Sequence, residues 1–269
     1  MSAPPCTVSQ PDPDRRFGGV ARLYGAQAAA RIGTAHIVIV GLGGVGSWAA
    51  EALARSGIGA LTLIDLDHVA ESNINRQIQA LDSTLGMAKV RALASRIADI
   101  NPACRVREVE DFASPDNLTS LIPANAQALL DCCDQARTKA ALAAHALQNR
   151  VAIIMAGAAG GKRQPQQAQI LDLAAVRHDP LLAKVRYRLR RAHGAPRSGP
   201  MGVPCVCSAE PVSMNTPGDG AQAGEAPQGL NCAGYGSSVM VTATFGMVAA
   251  SLALEAVMHG DVPFAVEPC

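Results

Sequence analysis

His36-Ile-Val-Ile-Val-Gly-Leu-Gly-Gly-Val-Gly46 is the stretch on which the fold turns. An apolar run short enough for a buried strand meets Gly41, Gly43, Gly44 and Gly46, and three of these keep the G-x-G-x-x-G spacing. Beyond it Val45, Trp48, Ala49, Ala52 and Leu53 recur at helical intervals, so a strand turns sharply into a helix. Glycines without Cβ let backbone approach a ligand, and a helix N-terminus presents unpaired N–H groups to a phosphate. The stretch therefore reads as a phosphate loop, although the motif alone does not name the nucleotide. A tight turn that merely packs helix on strand has the same spacing.

Outward from the loop, Ala60-Leu-Thr-Leu-Ile-Asp-Leu-Asp67 reads as a second strand. Asp65 lies where a dinucleotide-binding unit places the acid that meets a ribose hydroxyl, with Asp67 beside it. Upstream, Val20, Leu23, Tyr24, Ala28 and Ile32 predict one or two helices over 17–32. Downstream come a helix over 84–100, a third strand over 104–111 and a fourth over 128–134. An Ala-rich helix over 135–149 and a fifth strand over 151–155 follow, the strand leading into Gly157, Gly160 and Gly161. Strands alternating with helices at these lengths predict an α/β protein: a Rossmann-like, mostly parallel sheet with helices on both faces. A further strand is expected over 167–173 and a helix over 180–191, with Leu181, Leu182, Val185 and Leu189 inward. Residues 194–229, rich in Gly, Pro and Ser, are expected to form a long flexible loop, and residues 1–14 a disordered tail. Residues 15–269 read as one nucleotide-binding domain ending in a helix over 237–258.

Composition narrows the function classes. A hydrophobic share of 49% over 269 residues supplies an ample core, built from aliphatics because only 3% is aromatic. A formal net charge of +1 argues by itself for neither a nucleic acid nor a membrane. Charge is local instead: between 177 and 197 lie Arg177, Lys184, Arg186, Arg188, Arg190, Arg191 and Arg197 against the single acid Asp179. Such a face either neutralises RNA phosphates or is simply solvated. The 237–258 helix is almost long enough to span a bilayer, but its Ser, Thr and Gly interruptions and Glu255 favour burial over membrane contact. With no apolar signal core at the start and eight irregularly spaced cysteines, the cytoplasm is the expected location.

A hydride-transfer enzyme would use the glycine loop and Asp65 but not the polar groups that follow. A carboxylate attacking the α-phosphate of ATP needs them, because charge grows on the leaving pyrophosphate and a cation must meet it. Arg76 and Lys89 are the candidate catalytic cations, and Asn73 and Gln77 can hydrogen-bond phosphate oxygens. Asp134 is a candidate Mg²⁺ ligand, since that ion takes one or two carboxylates plus phosphate oxygens. Singly, Arg76 and Lys89 could be solvated helix charges and Asp134 a helix cap; together they form a constellation.

Gly-Leu-Gly-Gly-Val-Gly (41–46), Ile-Asp-Leu-Asp (64–67), Asn-Ile-Asn-Arg-Gln (73–77), Gly-Met-Ala-Lys (86–89), Ile-Asn-Pro (100–102) and Asp-Cys-Cys-Asp (131–134) resemble, in order and spacing, the ThiF/MoeB/ubiquitin-activating superfamily. Arg-Phe-Gly-Gly-Val-Ala-Arg-Leu-Tyr-Gly (16–25), Gly-Ser-Trp-Ala-Ala-Glu-Ala-Leu-Ala-Arg (46–55) and Val-Thr-Ala-Thr-Phe-Gly (241–246) are similar to its tRNA threonylcarbamoyladenosine dehydratase branch. The resemblance implies a ubiquitin-activating-enzyme-like fold and a homodimer using ATP and Mg²⁺. It also implies activation of the threonyl carboxylate of a modified adenosine in tRNA as an acyl-adenylate, followed by cyclisation. Carried over by position, Asp65 would bind ribose, Asn73, Arg76 and Lys89 the phosphates, and Asp134 the metal. Relatives donate a further Arg across the dimer; here Gly18 and Gly19 fall near that place, leaving Arg16 or Arg22. The alternative function is adenylylation of the C-terminal glycine of a ubiquitin-like sulfur carrier. Relatives with that role commonly carry paired C-x-x-C zinc ligands, whereas Cys205 and Cys207 form C-x-C and Cys232 stands alone, so no structural zinc is expected. The branch's association with a cysteine desulfurase system leaves those three thiols as candidates for sulfur relay, while Cys132 and Cys133 read as buried and inert.

Overall fold

A computed structural model describes residues 11–213 and 235–259. Seven strands, β1 (His36–Val40), β2 (Ala60–Ile64), β3 (Arg105–Val109), β4 (Ala128–Asp131), β5 (Ala152–Ala156), β6 (Ala168–Asp172) and β7 (Pro204–Ser208), form one sheet in the order β3-β2-β1-β4-β5-β7-β6. Every neighbouring pair is parallel except β6 with β7. The helices are α1 (Pro13–Tyr24), α2 (Ala26–Thr34), α3 (Gly46–Arg55), α4 (Lys89–Ile100), α5 (Leu118–Leu121), α6 (Ala136–Asn149), α7 (Pro180–Ala192) and α8 (Val239–His259).

Strand period two divides the core. Ile37, Ile39, Leu61, Leu63, Leu130 and Val206 pack with α2, α3, α4 and α8 on one face. Val38, Val40, Leu129, Met155, Cys205 and Cys207 pack with α5, α6 and α7 on the other. Because both faces are covered, the central strands read as unbroken apolar runs. Asp12 caps α1 by accepting from the N–H groups of Asp14 and Arg15, and Asp179 caps α7 by accepting from Leu182 N–H, with Pro180 at the first helical position.

The register matters most for function. Val40 lies opposite both Ile64 and Asp131, so β1, β2 and β4 end level and the next residues meet along one edge. Between β1 and β4 the strand order reverses direction, making a crevice at the carboxyl ends where ligands bind in open α/β sheets.

Several expectations are corrected. Residues 204–208 lie inside the expected flexible loop yet form β7, which is buried throughout between β5 and β6. The five residues Pro-Cys-Val-Cys-Ser are too short and too crowded by Gly and Pro neighbours to signal a strand; burial on both sides makes them one. Strand β2 stops at Ile64 and β4 at Asp131, placing Asp65, Asp67 and Asp134 in the turns beyond. The helix expected from residue 84 starts at Lys89, after a 3₁₀ turn over Asp82–Thr84 and Gly86 at φ +80°. Within the expected disordered tail, Pro13 and Asp14 already belong to α1, while residues 1–10 lie outside the described residues, as do 214–229 of the expected loop. Among the described residues α8 alone is long and apolar enough to cross a membrane; here it is a core helix, packed on α3, β4 and β5 with Phe245 and Ala253 fully buried.

Candidate functional site

Each glycine of the loop does something different. Gly41 adopts φ +88°, and a Cβ there would stand 2.8 Å from the Cys132 and Cys133 backbone. A Cβ on Gly46 would collide with the Gly41 carbonyl, so these two glycines allow the strand–turn–helix to close on itself. Gly44 faces Thr242 of α8, where a Cβ would come within 3.0 Å of the threonine methyl. Gly43 faces open space, with nothing within 4 Å of an added Cβ. It is the position at which a ligand can approach backbone. The start of α3 has no side-chain cap, and the buried Ser47 hydroxyl has no partner among the described residues. Uncapped N–H groups of this kind suit an anion.

Asp65 follows β2 directly and is nearly buried, its side chain 10% exposed. One carboxylate oxygen accepts from Leu42 N–H at 2.6 Å and the other from Asp67 N–H at 2.8 Å. Burial raises its carboxyl above the ordinary carboxylate value, against the opposing pull of the Lys89 ammonium and the two backbone donors. Lys89 opens α4 with its side chain 7% exposed; its Nζ lies 2.7 Å from Asp67 Oδ2 and 3.9 Å from Asp65 Oδ1. The structure thus brings together the glycine loop, Asp65, Asp67 and Lys89.

The 73–77 segment reaches the loop by other means. Trp48 of α3 donates its indole N–H to the Arg76 carbonyl at 3.0 Å, and the Thr242 hydroxyl reaches the same carbonyl at 3.4 Å. The Arg76 guanidinium donates to Ser72 O at 2.6 Å and to Asn75 Oδ1 at 2.9 Å. Gln77, buried, accepts from Gln79, whose amide also donates to Leu42 O at 3.0 Å. Asn73 is turned inward on its own turn, accepting from Ala70 N–H at 3.1 Å. Sequence reasoning missed Gln79, Trp48 and Thr242 as braces; Trp48 and Thr242 stand inside the 46–55 and 241–246 motifs and Gln79 two residues beyond Asn-Ile-Asn-Arg-Gln, but none of these signals a tertiary hydrogen bond.

Asp134 lies on the turn between β4 and α6, exposed and without an ion pair among the described residues. Beneath it is a pair that sequence reasoning did not single out. Lys139 and Asp131 are both fully buried, with Nζ 3.1 Å from Oδ1, and the same ammonium donates to the carbonyls of Asp131 and Cys133 at 3.2 and 3.0 Å. Burial works against the Lys139 charge, but Asp131 beside it holds the ammonium above its ordinary value. The pair stitches down the turn that leans on Gly41 and carries Asp134. Its trace in the sequence is a lysine at the head of an alanine-rich run, eight residues after the strand-end acid.

The cysteine expectations divide. Burial pushes the Cys132 thiol up to about 12 and that of Cys133 well above its ordinary value, in keeping with inert thiols. The relay role allowed for Cys205 and Cys207 is corrected: both sit in the core on β7, and burial raises Cys205 and pushes Cys207 up to about 12. Cys232 lies outside the described residues. Of the two N-terminal candidates, Arg16 is committed, donating to the carbonyls of Asp99 and Ile100 at 2.8 and 2.6 Å, whereas Arg22 is exposed and makes no hydrogen bond or ion pair among the described residues.

The ThiF family model matches residues 18–259. The chain is 48% identical to the tRNA threonylcarbamoyladenosine dehydratase of Escherichia coli, over 91% of this chain and 94% of that protein. With the Haemophilus influenzae protein of the same name the identity is 41%, over 90% and 93% of the two chains. The crystal structure of the E. coli enzyme in complex with ATP superposes with a TM-score of 0.82 at 46% identity, covering 92% of this chain and 95% of that one. The chain belongs to the ThiF family and, within it, to the tRNA threonylcarbamoyladenosine dehydratases.

Proposed function

We infer that this protein catalyses the ATP-dependent dehydration of threonylcarbamoyladenosine in tRNA. The observation that carries this reading is the meeting, at the β1/β4 crossover, of the open face of Gly43 with the Asp65, Asp67 and Lys89 cluster and the Asp134 turn. It occurs in a chain that matches dehydratases along nearly their whole length. The threonyl carboxylate attacks the α-phosphorus of ATP and pyrophosphate departs. The carbamoyl group then attacks the acyl carbon, AMP leaves with the carboxylate oxygen, and the ring closes with net loss of water.

In this reading Gly41, Gly43, Gly44 and Gly46 shape the phosphate cradle and Asp65 takes the ribose hydroxyls. Asn73, Arg76, Gln77 and Lys89 serve the phosphates, and Arg76 and Lys89 oppose the charge that develops on the leaving group. Lys89 is held by Asp67 in the free protein, so nucleotide binding would exchange that ion pair for polyphosphate. Asp134 would hold Mg²⁺, which when bound neutralises phosphate charge. We place the enzyme in the cytoplasm as a homodimer, with Arg22 rather than Arg16 free to reach a second copy.

The test is to incubate the protein with ATP, Mg²⁺ and tRNA carrying threonylcarbamoyladenosine, then weigh the nucleosides by mass spectrometry. Loss of one water from that nucleoside, with release of AMP and pyrophosphate, is expected. An unchanged nucleoside mass would overturn the assignment.

A further inference from the structure

The basic stretch of α7 is two sets of side chains. At 3.6 residues per turn, Leu181, Val185, Leu189 and Leu182 span an arc of about 100° and are the buried face. Arg186 and Arg190 lie past one edge of it and serve the fold: Arg186 donates to the carbonyls of Leu173 and Val176, each at 3.0 Å, and Arg190 to Pro196 O at 3.0 Å. Tyr187, Arg191, Lys184 and Arg188 occupy another arc of about 100°, facing outward. All four are exposed, and none of the three cations makes an ion pair among the described residues.

Tyr187 is the unusual member. The chain has only three Tyr, four Phe and one Trp, yet this ring is 62% exposed, more than any other aromatic among the described residues. It packs into no core. Arg191, one turn on, donates to its hydroxyl at 3.3 Å and so orients the ring while keeping its own charge outward. An acidic protein surface would satisfy the cations but presents a flat partner for the ring only where an aromatic or guanidinium happens to stand among its acids. A ribonucleotide offers both, a phosphate for the cation and a π-face for the aromatic.

We propose that Tyr187 is a stacking platform for an unpaired base of the RNA substrate, with Lys184, Arg188 and Arg191 gripping the phosphates that flank that base. The proposal rests on the tRNA reading above and adds the residue that lets this face tell a single-stranded loop from a duplex. Two turns of helix, about 12 Å, separate Tyr187 from the Asp179 cap. That cap also accepts from Ala158 N–H, just beyond β5, so the platform hangs below the same sheet edge that carries the nucleotide site.

The experiment measures binding of a fluorescently labelled anticodon stem-loop RNA, and of a blunt duplex of equal length, over a series of salt concentrations. Tyr187→Ala is expected to weaken stem-loop binding by roughly fivefold to a hundredfold, leaving duplex binding and the salt slope unchanged. Tyr187→Phe keeps the ring but not the hydroxyl that Arg191 holds, and should retain most of the binding that Tyr187→Ala loses. The triple variant Lys184→Ala/Arg188→Ala/Arg191→Ala should reduce the salt slope by about two and weaken both RNAs. If the triple variant weakens binding while Tyr187→Ala does not, the stacking role fails and the basic RNA face stands. Equal weakening of both RNAs by Tyr187→Ala would also remove the stacking role. If neither variant changes binding, this face does not contact RNA, whatever the nucleoside assay reports.

Discussion

At the residue scale, charge is committed in two ways. Lys89 is a buried cation whose partner, Asp67, is exposed and can give way, whereas Lys139 is a buried cation whose partner, Asp131, is sealed in with it. The first can be redirected to a ligand; the second can only hold structure. Lys89→Ala should therefore lower turnover by roughly a hundredfold, measured as AMP release, if its charge meets the leaving group. Its fall in melting temperature should be smaller than that of Lys139→Met, because Asp67 is exposed and Asp65 keeps its two backbone donors. Lys139→Met should behave oppositely, costing about 3–5 kcal/mol in chemical denaturation because Asp131 is left uncompensated. The pH signature follows from the raised Lys139 value. Its stabilisation is fully present below the ordinary lysine range and is lost as pH rises through the higher folded-state value. Denaturation of the parent followed from about pH 9 to pH 12, across and above the ordinary lysine value of about 10.4, should show that alkaline loss, and Lys139→Met should flatten it.

At the element scale, the strand–glycine–helix unit was legible and its internal division of labour was not. The spacing of Gly41, Gly43 and Gly46 announces a phosphate loop. It cannot say that Gly46 is filled by the Gly41 carbonyl, or that Gly43 alone opens to a ligand, because those facts depend on how the β4 turn and α8 close around the loop. The two positions should separate experimentally. Gly43→Ala should fold with a parental melting temperature but bind ATP more weakly in calorimetry, since its methyl occupies the ligand's approach. Gly46→Ala should lose stability by more than about 2 kcal/mol, because backbone rather than a yielding side chain blocks the methyl.

At the scale of the whole molecule, the apolar C-terminal helix is the keystone of the site. In length α8 is almost a membrane span, but its Ser, Thr and Gly interruptions and Glu255 favour burial, and in the fold it lies along α3, touching the glycine loop through Thr242 and Gly44 and closing on Val45 through Gly246. A Cβ on Gly246 would stand 2.5 Å from the Val45 carbonyl and 2.8 Å from Trp48 Cβ. Gly246→Val should thus lower the melting temperature and weaken ATP binding together, although residue 246 is not proposed to touch nucleotide. A drop in stability with unchanged ATP affinity would show that α8 supports the core but not the loop.

The sequence by itself determined the alternating α/β order, the glycine loop and the basic helix, because each follows from local periodicity or short spacing; Asp65, expected inside the second strand, stands in the turn beyond β2. Tertiary structure decided what has no local period. It made Pro204–Ser208 a central strand despite their loop-like neighbours, since burial between two strands outweighs weak intrinsic preference. It sorted the α7 cations into those tied to carbonyls and those left exposed, and it buried Lys139 against Asp131 beneath the Asp134 turn. It also gave each glycine its duty, through register: Val40, Ile64 and Asp131 end level, and the phosphate loop closes because the residues after them must share one edge.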